Sequence, residues 1–319
     1  MKSFFLISSP LQLLCATEAV YKFQTENNNL VIVNRGTENN YFQIQTILKI
    51  YNNVFDEIVL LNGESKSMTA WRKKFQEMNL LIKQDRVENI FIGDYQDGLS
   101  RHFSNKLKSS STYLLDDGFA TLLINKKIKN GSISNYKDYL KYLISSFKYS
   151  FKMKKEIKFF TFFEHDMIGE SIQHNFENLI NKRTLEFFDD RLYFLGSPVV
   201  EDGILTESKY FELVHDYLLS SNCTNKYYLP HRREKKNKIE KIIDETGVEI
   251  LYVNLPVEIH LLKNKIEPSV VASLFSTALY TLSKILKKSK IDIIKVNPSN
   301  LLDRKEHIMN IYEILEDIK

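Results

Sequence analysis

Apolar positions along the chain follow two alternating rhythms. Short β-rich runs stand at "FFLI" (4–7), "LVIV" (30–33), "EIVLL" (57–61), "ENIFI" (88–92) and "TYLL" (112–115). Between them lie stretches of helical period, such as "LQLLCATEAVYKF" and "MTAWRKKFQEMNLLI". Strand–helix alternation predicts a parallel sheet with helices on its faces. "NYKDYLKYLISSFKYSF" (135–151) predicts one long helix, and its aromatics at spacings of three and four predict burial in a core or between domains. "EIKFFTFF" (156–163) predicts a further buried strand. A second series then runs through "RLYFLG" (191–196), "KYYL" (226–229), "VEILYV" (248–253) and "IDIIKV" (291–296), before a closing amphipathic helix in "LLDRKEHIMNIYEILEDI". The two series part near the mixed-charge stretch "NKRTLEFFDD". The expectation is an N-terminal α/β domain over 1–190 and a C-terminal α/β domain over 191–319, the last helix packing back on the first domain. Two such halves would face a central cleft, with ligands at the C-terminal ends of the strands.

Composition adds limits to this picture. The 319 residues are 43% hydrophobic and 12% aromatic, enough for a substantial core. Forty-four basic residues nearly balance 40 acidic ones, and a net charge of +4 over this length argues against a dedicated nucleic-acid binder. It leaves room for a phosphorylated ligand or an anionic membrane surface. Cys15 and Cys223 form no metal-ligand spacing and suit a reducing compartment. The opening "MKSFFLISSPLQLLCATEA" imitates a signal peptide, but Ser8, Ser9, Pro10 and Gln12 interrupt its apolar run. It reads as strand, turn and helix, with Ser9 as N-cap and Pro10 at the first helical position. No apolar run reaches the length of a membrane span.

Three loops at strand ends carry the candidate chemistry. "YLLDDGFAT" delivers Asp116 and Asp117 into a turn at Gly118, where one carboxylate could act as general base or an aspartate could simply cap the helix that follows. In "YYLPHRREKKNK", Pro230 ends a strand and His231, Arg232 and Arg233 stand where the next helix is predicted to begin, a favourable place for a phosphate. The lysines beyond them read as an ordinary solvated helix face. In "SLFSTALYTLSKIL", Ser276 and Thr277 precede a helix, either as plain caps or as a second phosphate cradle. Glu258, in "NLPVEIH", could accept hydrogen bonds from ribose hydroxyls or sit as a first-turn helix acid. The chain has no GxGxxG, Walker A, HExxH, CxxC or DxD motif, which disfavours dinucleotide, P-loop and metal chemistry.

In this order the three loops resemble those of bacterial sialyltransferases on the GT-B plan, and most closely glycosyltransferase family 52. The matching pieces are Asp116–Asp117–Gly118, Pro230–His231 and the hydroxyl pair Ser276–Thr277. "FLGSP", with Gly196 and Ser197, and the opening "ISSPLQLLCATEA" are also similar to the family's. Arg232 stands where the family often has proline, Thr277 replaces a second serine, and Val199 follows the GSP triplet where some relatives carry an acid. Glu201 and Asp202, just beyond, therefore join Asp116 and Asp117 as candidate bases. The resemblance implies two Rossmann-like domains and inverting transfer of sialic acid from CMP-sialic acid to a sugar hydroxyl, galactose in expectation, of a bacterial surface glycan (capsular polysaccharide or lipooligosaccharide). It implies His231, Arg232, Ser276, Thr277, Gly196, Ser197 and Glu258 on the nucleotide sugar, and no cofactor or metal. With no signal peptide or membrane span read from the sequence, assembly is expected on the cytoplasmic side, with room for peripheral contact at the inner membrane surface and for an oligomer, and the modest charge argues against nucleic-acid partners. A GT-B hexosyltransferase using another sugar nucleotide, and a non-catalytic nucleotide- or carbohydrate-binding protein, stay open beside it.

Overall fold

A computed structural model describes all residues except 1, 35–37, 62–66, 83–85, 132–135, 147, 153–155, 182–183, 317 and 319. The chain divides into two compact units, Met1–Leu179 and Ile180–Lys319.

The first unit contains β1 (Ser3–Ile7), α1 (Pro10–Phe23), β2 (Asn28–Val33), α2 (Glu38–Ile50), β3 (Glu57–Leu61), α3 (Met68–Ile82) and β4 (Val87–Ile92). It continues through α4 (Gly98–Lys106), β5 (Ser109–Leu115), α5 (Ala120–Lys129), α6 (Tyr136–Ile144), β6 (Lys158–Thr161) and β7 (Ser171–Gln173). A short helix, α7 (Glu177–Asn181), crosses the division, and the Glu18 carboxylate accepts from Asn178 N and Leu179 N at its start. Among the described residues its strands form one parallel sheet in the order β3-β2-β1-β4-β5-β6-β7. All five residues of β1 are buried, as expected of a strand covered on both faces. Ser9 caps α1 by accepting from Gln12 N, with Pro10 in the first turn, so the opening segment is the strand, turn and helix that its residues predict.

The second unit contains β8 (Glu186–Leu195), α8 (Glu207–Ser220), β9 (Asn225–Leu229), α9 (Lys236–Thr246) and β10 (Glu249–Ile250). It ends with α10 (Val257–Asn264), β11 (Ile266–Ser273), α11 (Thr277–Ile285), β12 (Lys290–Ile293) and α12 (Lys305–Glu316). Its parallel sheet runs β10-β9-β8-β11-β12 among the described residues.

Four expectations change. The division lies at 179/180 rather than 190/191, because Glu186–Asp190 extend β8 and belong to the second sheet. Helix α12 belongs to the second unit, where the Tyr312 hydroxyl accepts from Val296 N at 3.0 Å and its ring meets Phe275 edge-on. Strand β11, central in the sheet, has no counterpart in the sequence reading. Its Pro268 argues against a central strand, and the structure accommodates it at a register shift between Pro268 and Val270. The long helix predicted over 135–151 is only α6, whose Tyr136, Tyr139, Leu140, Leu143 and Ile144 are exposed rather than buried, while Tyr142, Tyr149 and Phe151 of the same stretch pack in the core as expected; residues 135 and 147 lie outside the described ones. No helix among the described residues is long and apolar enough to cross a membrane.

Candidate functional site

In each unit the first strand of the series lies inside the sheet, and the chain lays down neighbours on one side before crossing to the other. The switch falls between β1 and β4 in the first sheet and between β8 and β11 in the second. The crevice beyond the carboxyl ends of strands at such a point is where open α/β sheets bind ligands.

At the first switch, Ser8 and Ser9 leave β1 and Gly93 leaves β4. The Gln12 side chain folds back from α1, its Oε1 accepting from Ser8 N at 2.7 Å. It lies so close to Gly93 that a Cβ there would meet it at 2.2 Å, so only glycine permits this approach. Beyond the neighbouring β5 the two acidic candidates separate. Asp116 is fully buried and accepts from Phe162 N at 2.7 Å and from the Thr161 hydroxyl at 3.1 Å, joining the ends of β5 and β6. Asp117 is half-buried and accepts from the Ser9 hydroxyl at 2.9 Å, which ties it to the β1 loop. The N-cap of α5 is Phe119, without a side-chain cap bond. Gly118, at φ +66°, supplies the left-handed turn that lets the chain enter α5 directly after the pair.

Burial pushes the Asp116 carboxyl up to about 7, against the opposing pull of its bonds from Phe162 N, Thr161 and Thr121. An unfolded aspartate titrates near ~4. Between about pH 4 and pH 7 the folded chain therefore holds a proton that the unfolded chain has released. Asp116 alone therefore contributes a fall in stability as pH rises through that window, by at most about 4 kcal/mol, against the opposite contribution of His102, His174 and His231, which burial lowers to about 4, 3 and 4. Melts of wild type and Asp116→Asn across this range should show the stability of wild type relative to the variant falling as pH rises. Parallel curves would show that Asp116 does not contribute.

At the second switch the structure brings Gly196 and Ser197 (after β8), His231 (after β9) and Ser276 and Thr277 (after β11) to one sheet edge. Ser276 is the N-cap of α11 and accepts from Ala278 N at 3.2 Å. Leu279, Leu282 and Leu286 behind it are buried. Glu258 is buried in the first turn of α10 and accepts from the Thr281 hydroxyl of α11, so its described bond is internal. Burial raises its carboxyl, with Thr281 and its own backbone N–H opposing.

The histidine loop differs from expectation. Helix α9 begins at Lys236 with Lys235 as N-cap, so His231, Arg232 and Arg233 occupy the preceding turn. The anion position at that helix end is filled by Glu201, whose Oε1 accepts from Lys235 N at 2.9 Å. Arg233 makes a two-pronged pair with Asp202, at 2.7 and 3.0 Å, so its guanidinium is engaged within the protein. Burial, then Arg233 and Arg232, lowers His231 to about 4, so the ring is neutral at pH 7. Its Nδ1 accepts from Arg233 N at 3.2 Å, which places the neutral ring's proton on Nε2. His231 thus offers a neutral N–H donor instead of a cation.

Lys238, read from sequence as solvated, is 2% exposed. It bonds Glu234 at 2.8 Å, Glu201 at 3.2 Å and the Ser197 carbonyl at 2.8 Å, and its ammonium lies 3.9 Å from the Tyr210 ring centre. Glu234 accepts from the Tyr228 hydroxyl at 2.6 Å and from His231 N at 2.6 Å. The Tyr210 and Tyr228 hydroxyls lie 2.7 Å apart, and Tyr210 accepts from Ser197 N at 3.2 Å. A Cβ on Gly196 would fall 2.1 Å from Glu234 Oε2. One buried acid and one buried lysine thereby fix both the GSP loop and the histidine loop. In Glu201, burial raises the carboxyl, but the Lys235 N–H, its own N–H and Lys238 outweigh this and hold it below the usual range. Sequence reasoning missed Glu234 and Lys238; their four-residue spacing was the available signal.

Two parallel α/β units with polar loops at the carboxyl edges of both sheets define the GT-B class. Solved structures match over nearly the whole chain. UDP-GlcNAc 2-epimerase from Neisseria meningitidis bound to UDP-GlcNAc is 8% identical, with TM-score 0.54, covering 99% of this chain and 90% of that one. UDP-GlcNAc 2-epimerase from Methanocaldococcus jannaschii is 13% identical, with TM-score 0.51, covering 100% and 94%. A sialyltransferase from Photobacterium damsela is 12% identical over 99% and 80% at TM-score 0.49, a likeness too low to weigh. No curated protein matches in sequence. The family model of the alpha-2,8-polysialyltransferases matches residues 3–295, and the chain belongs to that family. It is a glycosyltransferase of the sialyltransferase type.

Proposed function

We propose that the protein transfers sialic acid from CMP-sialic acid to a sugar hydroxyl by a single inverting displacement. The family match across residues 3–295 carries this reading. The family's name points to a sialic acid hydroxyl as acceptor, on a bacterial surface glycan such as a capsular polysaccharide. The motif order that resembles glycosyltransferase family 52 favours the second reading, a terminal galactose of a lipooligosaccharide, and kinship to family 52 is part of that reading. Assembly would take place on the cytoplasmic side.

The departing CMP gains charge on its phosphate. His231 Nε2–H, Arg232, the Ser276 and Thr277 hydroxyls and the backbone of Gly196 and Ser197 would stabilise it. These donors suffice without a metal, so activity should survive chelation by EDTA. Glu258 would act on the nucleoside indirectly, by fixing α10 against α11. Asp117 would take the proton of the acceptor hydroxyl.

A donor screen tests the assignment. CMP release is expected from CMP-sialic acid, with no turnover of UDP- or GDP-sugars; turnover of a UDP-sugar alone would replace this reading with a hexosyltransferase. His231→Ala should raise the barrier by about 2–4 kcal/mol, because one donor to the leaving phosphate is lost. Lys236→Ala, whose lysine pairs with Glu240 on the surface, should change little. Unchanged CMP affinity and turnover in His231→Ala would remove His231 from the site.

A further inference from the structure

Helix α6 sits with its polar side inward. Asp138 is buried and pairs with Arg101 of α4 at 2.8 Å, and Tyr142 on the same side packs against Phe151. Gly98 makes this approach possible, since a Cβ there would fall 2.7 Å from Asp138 and 1.9 Å from the Tyr149 hydroxyl. The opposite side carries Tyr136 (71% exposed), Tyr139, Leu140, Leu143 and Ile144, all exposed. At helical spacing these five fall on one contiguous arc. The remaining exposed large apolar residues among the described ones are spread over both units, whereas here five share nine positions. Single exposed apolar residues are ordinary, but a continuous stripe marks an interaction surface.

Charge identifies the occupant. Lys137 and Lys141 border the stripe, and Lys148 follows the helix. Among the described residues none of the three pairs with a carboxylate; Lys141 lies over the Trp71 ring instead. A second copy docking through a two-fold axis would bring the same lysines toward each other. Tyrosines beside an apolar stripe with a lysine border suit the interface of a bilayer bearing negative headgroups. We propose that α6 lies on an anionic lipid surface, with Leu140, Leu143 and Ile144 among the acyl chains and the lysines at headgroup level. This proposal does not rest on the donor assignment.

Vesicle sedimentation of the full chain tests it. Wild type is expected to bind phosphatidylcholine vesicles containing phosphatidylglycerol, to ignore pure phosphatidylcholine and to release at raised salt. Leu140→Ser with Leu143→Ser, and separately Lys137→Glu with Lys148→Glu, should each weaken binding at least about tenfold. Circular dichroism and CMP release toward a soluble acceptor should be unchanged in both. Equal binding to both vesicle types, or variants that bind like wild type, would overturn the proposal. So would a wild-type dimer in sedimentation velocity that the leucine variant abolishes, which would give the stripe to a second copy.

Discussion

Asp117→Asn is expected to lower sialyl transfer by about 10²–10⁴-fold while leaving CMP affinity near that of wild type. Asparagine keeps the shape of the side chain and can still accept from the Ser9 hydroxyl, which bonds Asp117 at 2.9 Å, so the β1 and β5 loops should stay joined. What it loses is basicity toward the acceptor hydroxyl. The other acids offer controls of different kinds. Asp116 is buried and engaged with Thr161 and Phe162, so its substitution should act mainly on stability. Asp202 is held by Arg233, and Glu201 by Lys235 N and Lys238. Glu201→Gln and Asp202→Asn keep an acceptor in each place and should leave transfer within a few-fold of wild type. Single-turnover rates with CMP-sialic acid, beside calorimetric CMP titration, separate the cases. Normal turnover in both the Asp116 and Asp117 variants, with a dead Glu201 or Asp202 variant, would move the base to the loop after Ser197.

Lys238→Met should destabilise the second unit by about 3–5 kcal/mol, the usual cost of removing one member of a buried ion pair. Methionine fills the space of the stem but leaves Glu234, whose side chain is fully buried, facing Glu201 without an intervening cation. Glu234 also holds His231 N, so the damage should reach the histidine loop and weaken CMP binding as well. Adding Glu234→Gln to Lys238→Met should recover part of the lost stability, because the uncompensated charge is then gone. Urea unfolding, followed by a probe in the second unit, reads both effects. A loss below about 1 kcal/mol, the scale of a surface pair, would mean that these loops are held by something else.

The strands of both sheets were largely legible because buried parallel strands read as continuous apolar runs, as "FFLI" and "LVIV" do. Strand β11 was not, since Pro268 is a strand breaker until a bulge makes room for it. Helix α6 has the period of a core helix, but period does not say which side faces inward; Arg101, far along the chain, decides that by pairing with Asp138. Lys238 illustrates the same limit. A lysine in a run of charges looks solvated, and only the folding of the GSP loop over α9 buries it. The loops carrying Asp117 and His231 could be found from sequence because each follows a recognisable strand, and the one carrying Ser276 because its hydroxyl pair precedes a helical pattern, whereas the bonds that orient them span distant positions.

The contact between Gly196 and Glu234 has an evolutionary corollary. A side chain at 196 would crowd the Glu234 carboxylate that holds His231 N and the Tyr228 hydroxyl beside it, so these positions are expected to change together. Relatives that acquire alanine or serine at 196 should carry a shorter or uncharged residue at 234, and with it a differently set histidine loop. Correlated change at these positions would therefore sort the family's members by how they grip the donor, before any of them is purified.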